Sequence, residues 1–205
     1  MTTVNELAYE YQNEDDECDY EIIGGVVHGK PRYEIIGGEK IIMSPAPNLT
    51  HSTIIRRLVM IFGSYIDENN IKAEVYGDNT DVYFSKEEHY MPDVSIVCNP
   101  AIIANGKKIL GAPDLLVEVL SESTMKNDLG KKKDVYEKYG VREYWIVDPW
   151  AKQIKVFHLI DGKFKLNGKY QLSDVEENNK INVSIFEGLV VELRKVFKFV
   201  FTFEH

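Results

Sequence analysis

The chain has 205 residues, of which 44% are hydrophobic and 28% are charged, as in an ordinary soluble globular protein. This length suits one domain with a substantial core, and no apolar run of about 18 residues predicts a transmembrane helix. The two cysteines, Cys18 and Cys98, exclude a disulfide framework and favour free thiols in a reducing cytoplasm.

Residues 1–21 form an acidic segment with eight Asp or Glu residues and no Lys or Arg. The other 25 acidic residues nearly balance the 24 basic ones, so most of the net charge of −9 lies in this segment. We predict an acidic N-terminal arm over residues 1–21 and a single domain over residues 22–205. The arm lacks the basic and apolar regions of a secretory signal, and the total charge neither excludes nor favours a nucleic-acid partner.

The motif YEIIGG occurs twice, at residues 20–25 and 33–38. Each copy is a β-prone run closed by two glycines, which predicts a strand that ends in a turn. Two copies are too few for a repeat protein, so we expect neighbouring strands, or one strand and an insertion. The strand signal continues over residues 39–45.

Apolar side chains at steps of three and four residues predict a helix over residues 48–68, which Asn48 or Thr50 can cap. A histidine near the start of a helix is more often structural than catalytic. His51 is nevertheless a weak site candidate because it lies on the apolar face. The residues of this face are His51, Ile54, Ile55, Leu58, Ile61, Phe62 and Tyr65.

The rest of the chain alternates between predicted strands and helices. We predict strands at 72–77, 80–84, 91–100, 113–120 and 141–149, a helix at 128–139, a β-hairpin that turns at Asp161-Gly162, and a strand or turn followed by a short helix within 181–197. This order predicts an α/β or α+β fold, with a central mixed sheet flanked by helices and extra β-hairpins.

Glu118 lies in the middle of the buried run LLVEVL, where an ionised carboxylate is costly unless another group compensates its charge. Asp93 begins the preceding strand, so two carboxylates on adjacent strands could hold a divalent cation such as Mg²⁺. Strand alternation also places Asp114 on the face of Glu118. From the residues alone, a metal site and a buried pair of Glu118 with a basic side chain are equally good interpretations.

Lys132 is one of three consecutive lysines in the helix predicted at 128–139. Helical spacing puts it on the inward face, whereas Lys131 and Lys133 point to either side. Because this helix follows the Glu118 strand, Lys132 can reach Glu118, either to assist a nucleophilic water or as a purely structural partner. The inward face comprises Leu129, Lys132, Val135, Tyr136 and Tyr139.

Several sequence blocks together resemble the Uma2 family, which is assigned to the PD-(D/E)XK superfamily of restriction-endonuclease-like proteins. The blocks are YEIIGGEKIIMSPAPNLTHSTI, MPDVSIV, GAPDLLVEVLSEST, DLGKKKDVYEKYGVREYWIVDP and FEGLVVEL, which cover roughly residues 30–195 and leave the first YEIIGG outside. The resemblance implies a restriction-endonuclease-like fold and a divalent-metal phosphodiesterase site. No dinucleotide-binding, Walker, zinc-protease or serine-hydrolase motif occurs.

The resemblance implies roles for five residues. Asp93 and Glu118 correspond to the two metal-binding acids, and Lys132 corresponds to a catalytic lysine that has moved to the following helix, because Leu120 occupies its usual position. His51 and Glu34 match a histidine and an acid of the family, and both are weaker candidates.

These assignments predict an endonuclease that uses Mg²⁺ or Mn²⁺ to hydrolyse DNA in the cytoplasm. Two alternatives stay open, because a fold does not determine a function. One is a non-catalytic protein that binds nucleic acid or another partner, and the other is a metal-dependent phosphoesterase with a different substrate. The resemblance is compatible with a homodimer, and no association with a membrane is expected.

Overall fold

The computed structural model describes residues 20–23, 26–29, 32–42, 49–78, 80–121, 128–175 and 179–198. Within these residues the chain has a mixed α+β fold, which confirms the predicted fold class. None of the described helices is both long and apolar enough to cross a membrane.

The described residues form three helices, a 3₁₀ turn and sixteen strands. The helices are α1 (Leu49–Glu68), α2 (Asp128–Tyr139) and α3 (Leu193–Val196), and the 3₁₀ turn is Pro100–Ile102. The strands are β1 (Tyr20–Ile23), β2 (Val26–Gly29), β3 (Tyr33–Ile36), β4 (Glu39–Ile42), β5 (Glu74–Tyr76), β6 (Asp81–Ser85), β7 (Glu88–Tyr90), β8 (Val94–Val97), β9 (Ile103–Ala104), β10 (Lys108–Leu110), β11 (Leu115–Val119), β12 (Glu143–Asp148), β13 (Gln153–Ile160), β14 (Lys163–Gln171), β15 (Lys180–Asn182) and β16 (Val190–Glu192).

The first six-stranded sheet has the order β14-β13-β12-β11-β8-β5. Only β11 and β12 pair in parallel, because α2 connects them; the other pairs are antiparallel. One face of this sheet packs against α1, since Leu115, Val117 and Val119 share a core with the apolar side of that helix. The opposite face carries Leu116 and packs against α2.

The second six-stranded sheet has the order β4-β3-β7-β6-β10-β9. Its inward residues Phe84 and Tyr90 contact Tyr136 of α2, with ring centroids 5.5 and 5.6 Å apart. Helix α2 is therefore packed between the two sheets. The expectation of one central sheet was incomplete, because β3, β4, β6, β7, β9 and β10 form this second sheet.

Local sequence signals predicted several elements with their bounds. Helix α2 covers residues 128–139 as expected and ends at Gly140, whose φ of +91° is favourable only for glycine. Strands β13 and β14 form the predicted hairpin, in which Asp161 and Gly162 have φ values of +53° and +72°. Two successive positive φ angles are typical of the tight hairpin turn that an Asp-Gly pair favours.

Other expectations about strand neighbours and element ends were wrong, because contacts between distant segments decide them. The two YEIIGG copies are not neighbours, since β1 pairs with β2, whereas β3 pairs with β4 and β7. Thr50 lies inside α1 rather than capping it, and Asn48 lies outside the described residues. Four short strands, β2, β7, β9 and β10, were not predicted, because four or fewer residues carry too little periodicity.

Candidate functional site

The two predicted metal-binding acids lie near each other, Glu118 in β11 and Asp93 directly before β8. Strand β11 pairs with β8 up to Val117 and Val94, and Glu118 and Asp93 are the next residues of the two segments. A hydrogen bond of 2.6 Å from the Val119 amide to Asp93 Oδ2 joins the two segments at this point. Leu116 packs toward α2, and alternation along β11 puts Glu118 on the same face. Asp93 therefore lies near Glu118, close enough for its negative charge to raise the pKa of Glu118.

Lys132 projects from α2 into the space between the two sheets, as its helical position predicted. Its ammonium lies 2.9 Å from Glu34 Oε1 and 3.4 Å from the carboxylate of Glu118. Only 6% of Lys132 is exposed, whereas Lys131, the preceding residue, is on the surface. The charge of Glu118 is therefore balanced locally by an ammonium that a second acid also contacts.

Glu34, a weak candidate from the sequence, belongs to this cluster. It lies on the inward side of β3 and is 4% exposed. Besides binding Lys132, Glu34 Oε1 accepts a hydrogen bond of 3.1 Å from the Met91 amide, two residues before Asp93. Glu34 therefore connects the second sheet both to the lysine and to the segment that positions Asp93.

Tyr136 was a weaker candidate than His51 from the sequence and was not chosen as a site residue, although it binds Glu118 directly. Its hydroxyl donates a hydrogen bond of 2.6 Å to Glu118 Oε1, and the side chain is fully buried. The available signal was its position one turn after Lys132 on the same inward face of α2. An aromatic residue at that position is usually part of the core, which is why the spacing alone did not identify it.

His51, the other weak candidate, borders the cluster through Asp93. It lies in the first turn of α1, and its Nε2 is 3.3 Å from Asp93 Oδ2. Burial lowers the pKa of His51, but the hydrogen bond and the charge of Asp93 outweigh burial and raise this pKa above its ordinary value. His51 is therefore placed to carry a positive charge beside Asp93.

Asp114, in the second Pro-Asp pair, has a different environment. Its Oδ2 accepts a hydrogen bond of 2.8 Å from the Cys98 amide, and its Oδ1 lies 3.0 Å from Nη1 of Arg142. Both carboxylate oxygens are therefore used to hold β8 and the start of β12. This arrangement favours Asp93 over Asp114 as the partner of Glu118.

The electrostatics of the cluster centre on Glu118. Burial raises the pKa of Glu118 to about 7, because the favourable charge of Lys132 offsets desolvation and the neighbouring Asp93 and Glu34 carboxylates only in part. Burial lowers the pKa of Lys132, but Glu118 and Glu34 outweigh it and raise this pKa above its ordinary value. Lys132 is therefore charged at neutral pH. Its positive charge alone is not enough to bring the pKa of Glu118 down to its ordinary value.

We expect the metal-free protein to become less stable as the pH rises from about 4.5 to about 7. In this window the folded protein keeps a proton on Glu118, whose pKa is raised, whereas the unfolded chain has lost it, so the free energy of unfolding falls with pH. Chemical denaturation in EDTA at several pH values measures this slope. The slope should be weaker in Glu118→Gln, and an unchanged slope in this variant would contradict the assignment of the pKa to Glu118.

The donor atoms of the site suit a hard divalent cation. Mg²⁺ and Mn²⁺ prefer oxygen ligands, and Mg²⁺ is commonly bound by one or two carboxylates together with water and phosphate oxygens. Asp93 and Glu118 supply two carboxylates, and the raised pKa of Glu118 indicates that further positive charge would be favourable there. Over the described residues, no three His, Cys, Asp or Glu side chains form a group that could hold a metal. Asp93 and Glu118 therefore stay a predicted pair of metal ligands.

Comparison with known proteins agrees with this architecture. A crystal structure of a putative nuclease belonging to DUF820 from Anabaena variabilis ATCC 29413 is similar, with a TM-score of 0.66 and 21% sequence identity. The similarity covers 84% of this chain and 93% of that one. At this identity the likeness establishes the fold. No curated protein matches the chain.

The family comparison covers most of the chain. The Uma2 family model, described as a putative restriction endonuclease, matches residues 16–194. The match includes the first YEIIGG, which the motif comparison had left outside. The family match and the shared fold together confirm the resemblance seen in the sequence: this chain belongs to the Uma2 family of restriction-endonuclease-like proteins.

Proposed function

We propose that this protein is a divalent-metal-dependent endonuclease that hydrolyses phosphodiester bonds in DNA. The observation that carries the proposal is the buried Lys132 ammonium beside Glu118, near the carboxylate of Asp93. Leu120 occupies the usual position of the catalytic lysine. Lys132 of α2 is the residue that can supply the missing positive charge. Membership of a family described as putative restriction endonucleases, and similarity to a putative nuclease, support the same chemistry.

In this proposal Asp93 and Glu118 hold Mg²⁺ or Mn²⁺. The cation would polarise a phosphoryl oxygen and lower the pKa of a bound water molecule. Lys132 donates hydrogen bonds to the attacking water or to the phosphoryl oxygen on which negative charge develops. His51, beside Asp93, contacts a phosphate oxygen of the substrate.

Two further residues keep these groups in place. Glu34, at 2.9 Å from the ammonium, holds Lys132 independently of Glu118, so the lysine keeps a partner when Glu118 binds a cation. Burial and the nearby Glu118 raise the pKa of Tyr136 well above its ordinary value, so its hydroxyl stays protonated and donates to one oxygen of Glu118. Such fixed second contacts preserve the geometry of a metal ligand.

The direct test is cleavage of supercoiled plasmid and of linear DNA in Mn²⁺, in Mg²⁺ and in EDTA. We expect nicking by the wild-type protein in either metal and none in EDTA. Glu118→Gln serves as the control for contaminating nucleases, because it has the shape of glutamate but lacks the charge. Absence of cleavage by the wild type, or equal cleavage by both proteins, would refute the proposal.

A cytoplasmic location and a homodimer remain predictions from the sequence. Cys98 is a free cysteine, and burial raises the pKa of its thiol to about 11, which makes it a poor nucleophile for disulfide formation. Cys18 lies outside the described residues. Sedimentation analysis of the full chain would determine the oligomeric state.

A further inference from the structure

The row of side chains that contains Glu118 continues across the first sheet. Glu118 faces Ile146 on β12, Ile146 faces Lys155 on β13, and Lys155 faces Lys169 on β14. Residues paired in this way project on the same side of a sheet. Adjacent strands are about 4.8 Å apart, so Lys155 and Lys169 lie roughly 10 and 14 Å from the Glu118 strand, on the site face.

These two lysines form an unfavourable pair on their own. Like charges directly opposite each other destabilise a sheet, and both side chains are exposed. Neither forms an ion pair with any residue that the structure describes, whereas the hairpin lysines Lys163 and Lys165 contact Glu137 and Asp161. The pair therefore places two uncompensated positive charges beside the candidate site.

A third lysine approaches the same part of the sheet from α2. Lys133 Nζ lies 4.5 Å from the centre of the Phe157 ring. Phe157 is two residues after Lys155 on β13 and lies on the same face, since it pairs with Tyr144, which in turn pairs with Leu116 of β11. The helix and the hairpin thus concentrate positive charge on one side of the site, although the protein as a whole is acidic.

We propose that Lys155 and Lys169, assisted by Lys133, bind the sugar-phosphate backbone of DNA and direct the strand toward Asp93 and Glu118. A polyanion relieves the repulsion between the two lysines, and nucleic-acid phosphates follow one another closely enough for both to be neutralised at once. The choice of DNA as the ligand rests on the proposed function. The positive charge of these lysines and their position on the face of Glu118 are independent of the proposed function.

The test is DNA binding without cleavage. Fluorescence anisotropy of a labelled duplex in EDTA, at several salt concentrations, gives the affinity and its salt dependence. Each lysine that neutralises a phosphate contributes about 0.9 to the slope of log K against log salt concentration, so the double variant Lys155→Gln/Lys169→Gln should lose about 1.8 from this slope. At low salt the double variant should bind every duplex more weakly than the wild type does, and by the same factor whatever the DNA sequence.

The control is Lys165→Gln/Lys180→Gln, which removes the same charge elsewhere. Lys165 lies on β14 but pairs with His158 on the opposite face, and Lys180 is on β15. An unchanged slope in Lys155→Gln/Lys169→Gln, an equal loss in the control, or no DNA binding by the wild type would overturn the inference. A wild type that binds through these lysines but never cleaves would retain the inference and refute the nuclease proposal.

Discussion

Replacement of Lys132 by Met is expected to lower both stability and DNA cleavage. The substitution leaves Glu34 and Glu118 buried without the ammonium that contacts both, and breaking a buried ion pair in this way costs about 3–5 kcal/mol. Loss of one group that stabilises developing negative charge typically lowers kcat by about 10²–10³-fold. Chemical denaturation measures the first effect, and plasmid nicking in Mn²⁺ measures the second.

A second variant separates the structural role of Lys132 from the catalytic one. Glu34→Gln/Lys132→Met removes one negative and one positive charge, so most of the lost stability should return while cleavage stays low. Lys131→Met is the matched control, because this lysine is exposed one position earlier on α2. If the double variant is folded and cleaves like the wild type, Lys132 is only a structural partner of the two acids.

Replacement of Asp93 by Asn is expected to weaken metal binding and cleavage strongly while the fold is retained. The amide oxygen of Asn can still accept the hydrogen bond from the Val119 amide, but it lacks the charge that binds a cation. Residues that merely support metal ligands contribute about 10–100-fold to affinity, so loss of a ligand itself should cost at least about 100-fold. Calorimetric titration with Mn²⁺ and the nicking assay measure both effects.

Asp114→Asn is the matched control for Asp93→Asn. Both aspartates follow a proline and both accept a backbone N–H, yet Asp114 interacts with Arg142, which is 58% exposed. An exposed ion pair contributes only about 0–1 kcal/mol, so this variant should bind Mn²⁺ and cleave like the wild type. Equal effects of the two substitutions would show that neither aspartate acts specifically in catalysis.

These experiments also distinguish the alternative functions. A non-catalytic DNA-binding protein would bind duplex DNA but would not cleave it in any metal, whatever the residue at position 93. A phosphoesterase with another substrate would bind Mn²⁺ through Asp93 without nicking plasmid DNA, and it would hydrolyse a small phosphodiester instead.

Local sequence patterns determined much of what the structure shows. The burial of Lys132 followed from helical spacing, since Lys132 lies three residues before Val135 and four before Tyr136 on the inward face. Alternation along LLVEVL placed Glu118 on the face opposite Leu115 and Val117. The Asp-Gly turn and Gly140 marked element ends because their positive φ angles are a property of the residues themselves. The family resemblance assigned Asp93 and Glu118 as a metal-binding pair before their register was known.

The tertiary structure decided which partners these residues meet. Glu34 is 98 positions from Lys132, and no local pattern connects a residue of β3 to a residue of α2. The same holds for the two YEIIGG copies, which have identical local preferences but pair with different strands. Tyr136 could be recognised as a hydrogen-bond donor to Glu118 only from the packing of α2 on the sheet. Lys155 could be placed on the face of Glu118 only from strand order and register. Propensity and periodicity act over a few residues, whereas the compensation of a buried charge depends on contacts between segments that are distant in the chain.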